Sequence, residues 1–217
     1  MIITLDVNAQ CEENRADVEQ VIGYVYLDEN KDLVKDEGDR GLPDISVSNG
    51  CSVVQTDQNG RYEITLAPFE ILFISKPANF SLPLDENNVP KFFYRHYPEG
   101  TPAQVANTSV EWLWPVTAPT GTLPESLNFP VFEAEEASSK FTAHGFADTQ
   151  AQSEIDQDML REDLINPLIN NPYSVEFGLT VGDVVFDKLD LYDRHKAMMG
   201  LIGIPQWYLP GNHDINF

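Results

Sequence analysis

The chain has 217 residues, of which 42% are hydrophobic, so it can bury the core of one large domain or of two small ones. Its formal net charge of -22 repels nucleic-acid phosphates and argues against a nucleic-acid-binding protein. No apolar run approaches the roughly 18 residues that a membrane helix needs, so no membrane span is predicted.

Residues 1–19 are an N-terminal extension, and they lack the basic start of a signal peptide. The letters "VNAQ" within them resemble the cleavage end of a secretory signal, so the signal peptide itself is expected to be missing from this sequence. The two cysteines, Cys11 and Cys51, form no metal-binding pattern. A disulfide and two free thiols are both compatible with their spacing.

Residues 20–135 are predicted to form an all-β Greek-key sandwich, because short apolar runs alternate with Gly, Pro, Asn and Asp. Asn59-Gly60 predicts a hairpin turn between two of these runs, since both residues tolerate positive φ. The strand candidates in chain order are VIGYVYL (21–27), ISVSNG (45–50), SVVQTD (52–57), RYEITL (61–66), ILFIS (71–75), KFFYRHY (91–97), VEWLWPV (110–116) and LNFPVFE (127–133).

Residues 139–217 change to alternating strands and helices, which predicts a parallel α/β segment of the βαβαβ type after a linker at 133–140. Ser153 is expected to cap the first helix and Pro167 to kink or end it. Helical spacing predicts that Ile155, Met159, Leu160 and Leu164 face the core, and His195 on the second helix is expected at the surface. The elements are strands at 141–148, 175–183 and 205–212 and helices at 153–171 and 188–202.

Polar residues follow each of the three predicted parallel strands. They are Asp148 and Gln150, then Asp183 and Asp187, then Asn212, His213 and Asp214. Ligands of open α/β sheets bind at the carboxyl ends of the strands, where these side chains would converge. A set of mostly oxygen ligands with some nitrogen suits divalent Mn, Fe, Zn or Mg. Bound cations would also reverse the local negative potential, which otherwise repels a phosphate.

The pattern D-x-Q … GDVVFD … GNHD resembles the calcineurin-like metallophosphoesterase family over residues 139–217. The resemblance implies a two-metal hydrolase of a small phosphoester, in which Asp148 binds the first metal, Asp183 bridges both and Asn212 binds the second. It implies that His213 contacts the phosphate and helps to protonate the leaving group. Gln150 stands where the family usually has a histidine ligand, so that metal position is expected to be weaker or to prefer a harder ion.

Other side chains near these motifs are expected to orient the metal ligands from behind, namely Asp187, Asp214 and His144. The family also supplies later histidine ligands, including a Gly-His-x-His turn, which this sequence lacks. We therefore expect a truncated chain that holds only the first part of the phosphoesterase domain and is inactive by itself. The incomplete sheet edge would allow a homo-oligomer.

An acidic loop at residues 28–39 has the spacing of an EF-hand calcium loop. Places 1, 3, 5, 9 and 12 are Asp28, Asn30, Asp32, Asp36 and Asp39. Leu33 replaces the glycine of place 6, which should weaken calcium binding. The sequence leaves two interpretations of this loop, a weak calcium site and an acidic solvated loop. The surrounding sequence resembles B-type repeats of bacterial surface adhesins and the β-domains attached to this phosphoesterase subgroup. That likeness implies an extracytoplasmic bacterial protein, periplasmic or secreted, and leaves a non-catalytic surface-binding module as the alternative function.

Overall fold

The computed structural model describes residues 15–101, 117–134 and 140–214. These residues form two compact units. The first unit includes residues 15–83, 92–101 and 117–134, and the second includes residues 84–91 and 140–214. Strands in several sheets outnumber helices, which confirms the predicted β-rich character of the N-terminal part. None of the helices in these ranges is long and apolar enough to cross a membrane.

The first unit contains two sheets. One has the order β2-β1-β9-β7 with β5 also paired to β1, and the other has the order β4-β3-β6-β8. Strand β9 runs parallel to β1, and the remaining pairs are antiparallel. The strands are β1 (Glu19–Leu27), β2 (Arg40–Gly41), β3 (Ser46–Ser48), β4 (Val53–Gln55), β5 (Arg61–Leu66), β6 (Ile71–Ile74), β7 (Phe80–Ser81), β8 (Phe93–Arg95) and β9 (Phe129–Glu133). The strand predicted at 110–116 lies outside the described residues.

Strand β5 shows how the sequence pattern builds the core of the first unit. Its residues alternate between the two faces, so Tyr62, Ile64 and Leu66 are buried while their neighbours are not. Burying each such apolar side chain contributes about 1.5–3 kcal/mol. The buried hydroxyl of Tyr62 donates a hydrogen bond to the carbonyl of Leu127 at 2.6 Å, so its polar end is satisfied as well.

The turn predicted at Asn59-Gly60 forms, but β4 and β5, which flank it, pair with different strands. The Gly60 amide donates to the Asp57 carbonyl at 2.9 Å, and Gly60 has φ +75°. Strand β4 pairs with β3, however, and β5 pairs with β1. The turn is held against β1 because the Val25 amide donates to the Gly60 carbonyl at 2.9 Å. A side chain at position 60 would strike Val25, so only glycine allows this approach.

The second unit contains a three-stranded parallel sheet of order β10-β11-β12. In register, Ala147 lies beside Val181, and Val181 lies beside Leu209. The carboxyl ends of all three strands therefore meet at one edge. The elements are β10 (Ala143–Ala147), α1 (Glu154–Leu160), a π-helix (Arg161–Ile165), α2 (Asn166–Asn170), β11 (Phe177–Val181), a 3₁₀ turn (Leu189–Leu191), α3 (Tyr192–Gly200), β12 (Gln206–Leu209) and a 3₁₀ turn (Asn212–Asp214).

The first predicted helix differs from expectation in the residues that it buries. Ser153 caps it by accepting the Asp156 amide, as predicted. Ile155 and Met159 are 67% and 61% exposed, however, so their predicted core positions are wrong. Gln157 is fully buried instead.

A π-helix interrupts this helical segment after Leu160. It precedes Pro167, which lacks an N–H and crowds the carbonyl four residues earlier, and the wider turn relieves that conflict. Within α1 the ordinary helical period already places Gln157 and Leu160 on the face opposite to Ile155 and Met159. Leu160 and Leu164 pack against the core formed by Phe146, Ile165, Met198 and Met199.

Helix α3 carries His195, Met198 and Met199 into the core of the second unit. The expectation that His195 lies at the surface is therefore wrong, because its side chain is fully buried. The reason is the helical period, which places His195 on the same face as the two methionines.

Residues 84–91 group with the second unit, although they lie inside the range 20–135 that the sequence assigned to the β-domain. The Asn88 carbonyl accepts the Gln206 amide at 2.9 Å, and the Asn88 side chain donates to the Gly200 carbonyl at 2.8 Å. These bonds connect the segment to strand β12 and to the end of α3.

Candidate functional site

Three loops lie at the edge where the parallel strands end. They are residues 148–150 after β10, residues 182–187 after β11 and residues 211–214 after β12. The aligned strand ends bring these loops together, as the order of the polar motifs predicts. The metal-ligand and catalytic roles of their side chains stay predictions, and the contacts below show which of the side chains meet.

Asp183 contacts both neighbouring loops. Its Oδ2 accepts the side-chain N–H of Gln150 at 2.9 Å, and its Oδ1 accepts the backbone amide of His213 at 3.1 Å. The backbone carbonyl of Asp183 also accepts the Gln150 amide at 2.9 Å. The amide of His213 is the main cause that lowers the pKa of Asp183, and the Gln150 side chain adds to it. The carboxylate is therefore held in its ionised form, which is the form that binds cations.

His213 is held on two sides by residues of the 182–187 loop. Its Nδ1 lies 2.9 Å from Oδ1 of Asp187. Its ring stacks on Phe186 with centroids 4.1 Å apart and an interplanar angle of 23°. The hydrogen bond to Asp187 is the main cause that raises the pKa of His213. The ring is therefore fixed in orientation, and the Asp187 carboxylate beside it favours the protonated form.

Asp148 and Asn212 are exposed and lie in the two flanking loops. His144, expected behind the ligands, has its ring beside those of Phe146 and Tyr173, each with centroids 5.9 Å away. The structure thus joins Asp183, Gln150, His213 and Asp187 by direct contacts.

Backbone strain is concentrated in the loops of the site. Positive φ occurs at Asp148 (49°), Gln150 (43°), Asp183 (31°) and Asp187 (58°). Non-glycine residues adopt such angles rarely and at a cost of about 1–3 kcal/mol each. The surrounding contacts must hold these residues in place, which is typical of functional sites.

Gly211 is required by a close approach. A Cβ on this residue would lie 2.1 Å from Oδ1 of Asp183 and 2.3 Å from its backbone nitrogen. The glycine of the GNHD motif therefore lets the third loop close on Asp183.

The donor chemistry of the site fits a hard divalent cation in part. Asp183 supplies carboxylate oxygens beside the amide of Gln150, and the exposed side chains of Asp148 and Asn212 add further oxygens at the same edge. Within the described ranges, no group of three or more His, Cys, Asp or Glu side chains is placed to hold a metal ion. The fit therefore depends on Gln150 and Asn212 as amide ligands beside the two aspartates.

Hydrogen bonds from backbone amides to acidic side chains of the same loop order residues 28–39. Buried Asp28 accepts the amides of Lys31 and Leu33 at 2.7 and 2.8 Å, and other acidic side chains of the loop accept amides in the same way. Leu33 has φ +66° at the place where a calcium loop has glycine. Calcium binding stays a prediction, since these contacts order the loop without an ion.

Two residues beside the site escape the sequence analysis. The ring of Phe186 stacks on His213, and in the sequence Phe186 follows two valines and precedes Asp187. Its position next to Asp187 was the only sign in the sequence that Phe186 lies near the site. Tyr192, whose pKa is raised by burial and by the nearby Asp214, starts helix α3, and no local pattern marks it. Only the packing of α3 behind the loops brings it there.

Comparison with known proteins supports the resemblance in a different part of the chain. Residues 28–109 match the family model described as the N terminal of calcineurin-like phosphoesterase. A search of curated proteins found no match. The matched range lies in the β-rich part and does not include the loops of the candidate site. Residues 28–109 are thus similar to the N-terminal domain of calcineurin-like phosphoesterases, the family that the sequence motifs of residues 139–217 resemble.

Proposed function

We propose that this chain is part of a metal-dependent phosphoester hydrolase. In this proposal, an all-β Greek-key sandwich at residues 20–135 precedes the first part of the phosphoesterase domain at residues 139–217. The observation that carries the proposal is the position of Asp183, whose carboxylate contacts Gln150 in one neighbouring loop and His213 in the other. Such convergence of three motifs at the strand ends is the arrangement that a shared ligand site needs.

The residues that would hold divalent cations are Asp148, Gln150, Asp183 and Asn212. Asp183 would be the central residue of this set, because its two oxygens face different loops. Bound cations would supply Lewis-acid polarisation of the phosphoester and an activated water. They would also reverse the negative field of a chain with net charge -22, which otherwise repels phosphate.

His213 is assigned the proton transfer to the leaving oxygen. Asp187 holds its Nδ1, and Phe186 covers one face of the ring, so the imidazole is presented in one orientation. The carboxylate of Asp187 also favours the protonated ring. Nε2 is the atom assigned to donate the proton.

We also assign the protein to an extracytoplasmic compartment of a bacterium. Cys51 forms a disulfide, which supports an oxidising environment. Cys11, the other cysteine of the sequence, lies outside the described residues.

The experiment is to titrate the 217-residue chain with Mn²⁺ and to follow free Mn²⁺ by electron paramagnetic resonance. Asp183→Asn should abolish binding, because it removes the central carboxylate. Asp193→Asn is the matched control, since Asp193 is an exposed carboxylate of the same unit that pairs only with Lys196 among the ion pairs of the described residues. Equal Mn²⁺ binding by both variants would contradict the proposal.

A further inference from the structure

Asp214, the last residue of the GNHD motif, is a buried carboxylate that joins two loops of the site. It is 5% exposed. Its Oδ2 accepts the amides of Val184 at 2.9 Å and Gly211 at 2.7 Å, and its Oδ1 accepts the amide of Val185 at 3.0 Å.

The hydroxyl of Tyr192 also lies close to Asp214. Burial and the nearby Asp214 carboxylate raise the pKa of Tyr192, so the phenol keeps its proton. An ionised carboxylate has about four lone-pair positions, and the three backbone amides fill most of them. The role of Asp214 therefore lies in the groups that it holds.

The amides that Asp214 holds belong to the loops that carry Asp183 and His213. Val184 and Val185 directly follow Asp183, and Gly211 directly precedes Asn212 and His213. Tyr192 begins helix α3, so its position near Asp214 places the two loops against the helix that carries the core of the second unit.

We infer that Asp214, supported by Tyr192, is a positioning residue that sets the distance between Asp183 and His213. The inference rests on the proposed function for the consequence of that distance, which is metal affinity. The positioning itself is a property of the hydrogen bonds and can be measured separately. All three backbone amides that donate to Asp214 lie in the loops that carry Asp183 and His213.

Asp85 provides a matched control in the same unit. Its carboxylate also accepts two backbone amides, those of Asn87 and Val89, each at 2.8 Å. Both bonds lie within the segment 84–91, which contributes no residue to the three site loops. Asp85→Asn therefore removes the same kind of interaction without touching the site.

The test compares Asp214→Asn, Tyr192→Phe and Asp85→Asn in the 217-residue chain. Nuclear magnetic resonance would report the stacking of His213 on Phe186 through ring-to-ring nuclear Overhauser effects, and Mn²⁺ titration would report affinity. Asp214→Asn should lose the ring contacts and bind Mn²⁺ about 10–100-fold more weakly, as is typical when a residue that orients metal ligands is changed. Tyr192→Phe, which keeps the three amide bonds, should show a smaller loss of affinity in a folded protein.

Asp85→Asn should lower the unfolding midpoint and leave the His213–Phe186 ring contacts and the Mn²⁺ affinity unchanged. The inference is overturned if Asp214→Asn keeps the His213–Phe186 contacts, or if Asp85→Asn removes them equally. If Asp214→Asn fails to fold, unchanged ring contacts and Mn²⁺ affinity in Tyr192→Phe overturn it instead. If the unmodified chain binds no Mn²⁺ while Asp214→Asn loses the ring contacts, the positioning role stands and the proposed metal function fails.

Discussion

His195 makes the stability of the second unit depend on pH. Its side chain is fully buried on α3, its ring lies edge-on to that of Tyr208, and neither ring nitrogen has a hydrogen-bond partner among the described residues. Burial lowers the pKa of His195 from 6.5 to about 4. The folded state therefore holds the neutral ring, while the unfolded chain binds a proton below pH 6.5.

The magnitude follows from the difference between the two pKa values. The unfolded state binds more protons than the folded state between pH 6.5 and pH 4. The contribution of neutral His195 to the free energy of unfolding is therefore fully present above pH 6.5 and is lost as pH falls through this window. Linkage gives a loss of about 2 kcal/mol by pH 5 and about 3 kcal/mol by pH 4. That loss is a large part of the total stability of a typical domain.

The assay is urea unfolding at pH 8, 6.5 and 5, followed by tryptophan fluorescence. His195→Met removes the titrating group at similar volume, so the variant should lose about 2 kcal/mol less than the unmodified chain between pH 8 and pH 5. Tyr208→Phe is the control, because it removes the neighbouring hydroxyl and keeps the histidine buried. The reasoning is refuted if the chain and His195→Met lose stability in parallel across this range.

Three further predictions concern the loops. Gly211→Ala should weaken Mn²⁺ binding and destabilise the second unit by about 1–3 kcal/mol, because the added carbon strikes Asp183. Gly145→Ala is the control and should have neither effect, because a Cβ at position 145 meets no atom within 4 Å. Asp28→Ala should cost about 1–3 kcal/mol in urea unfolding, since it leaves two amides of the acidic loop without their acceptor; an unchanged midpoint would show that water replaces the carboxylate. With Mn²⁺ or Mg²⁺ the 217-residue chain should not hydrolyse p-nitrophenyl phosphate detectably, and turnover that Asp183→Ala abolishes would disprove this.

Local patterns predicted much of what surrounds the site. The alternation in β5 and the polar residues after β10, β11 and β12 can be read from the sequence, because strand period and strand-end chemistry depend on neighbours in the chain. The contact of Asp183 with Gln150 agrees with that reading. The side chains that the helical period placed in the core were less predictable, as Ile155 and Gln157 show.

The sequence alone determined the alternation of strands and helices in the second unit, the three polar motifs and the family resemblance, because each is encoded in a short run of residues. The tertiary structure decided which distant groups meet. Asp214 reaches the amides of Val184 and Val185 across 29 or 30 residues, and the packing of α1 buries Gln157 and leaves Ile155 exposed. Such contacts depend on strand register and helix packing, which bring together groups that no local pattern relates.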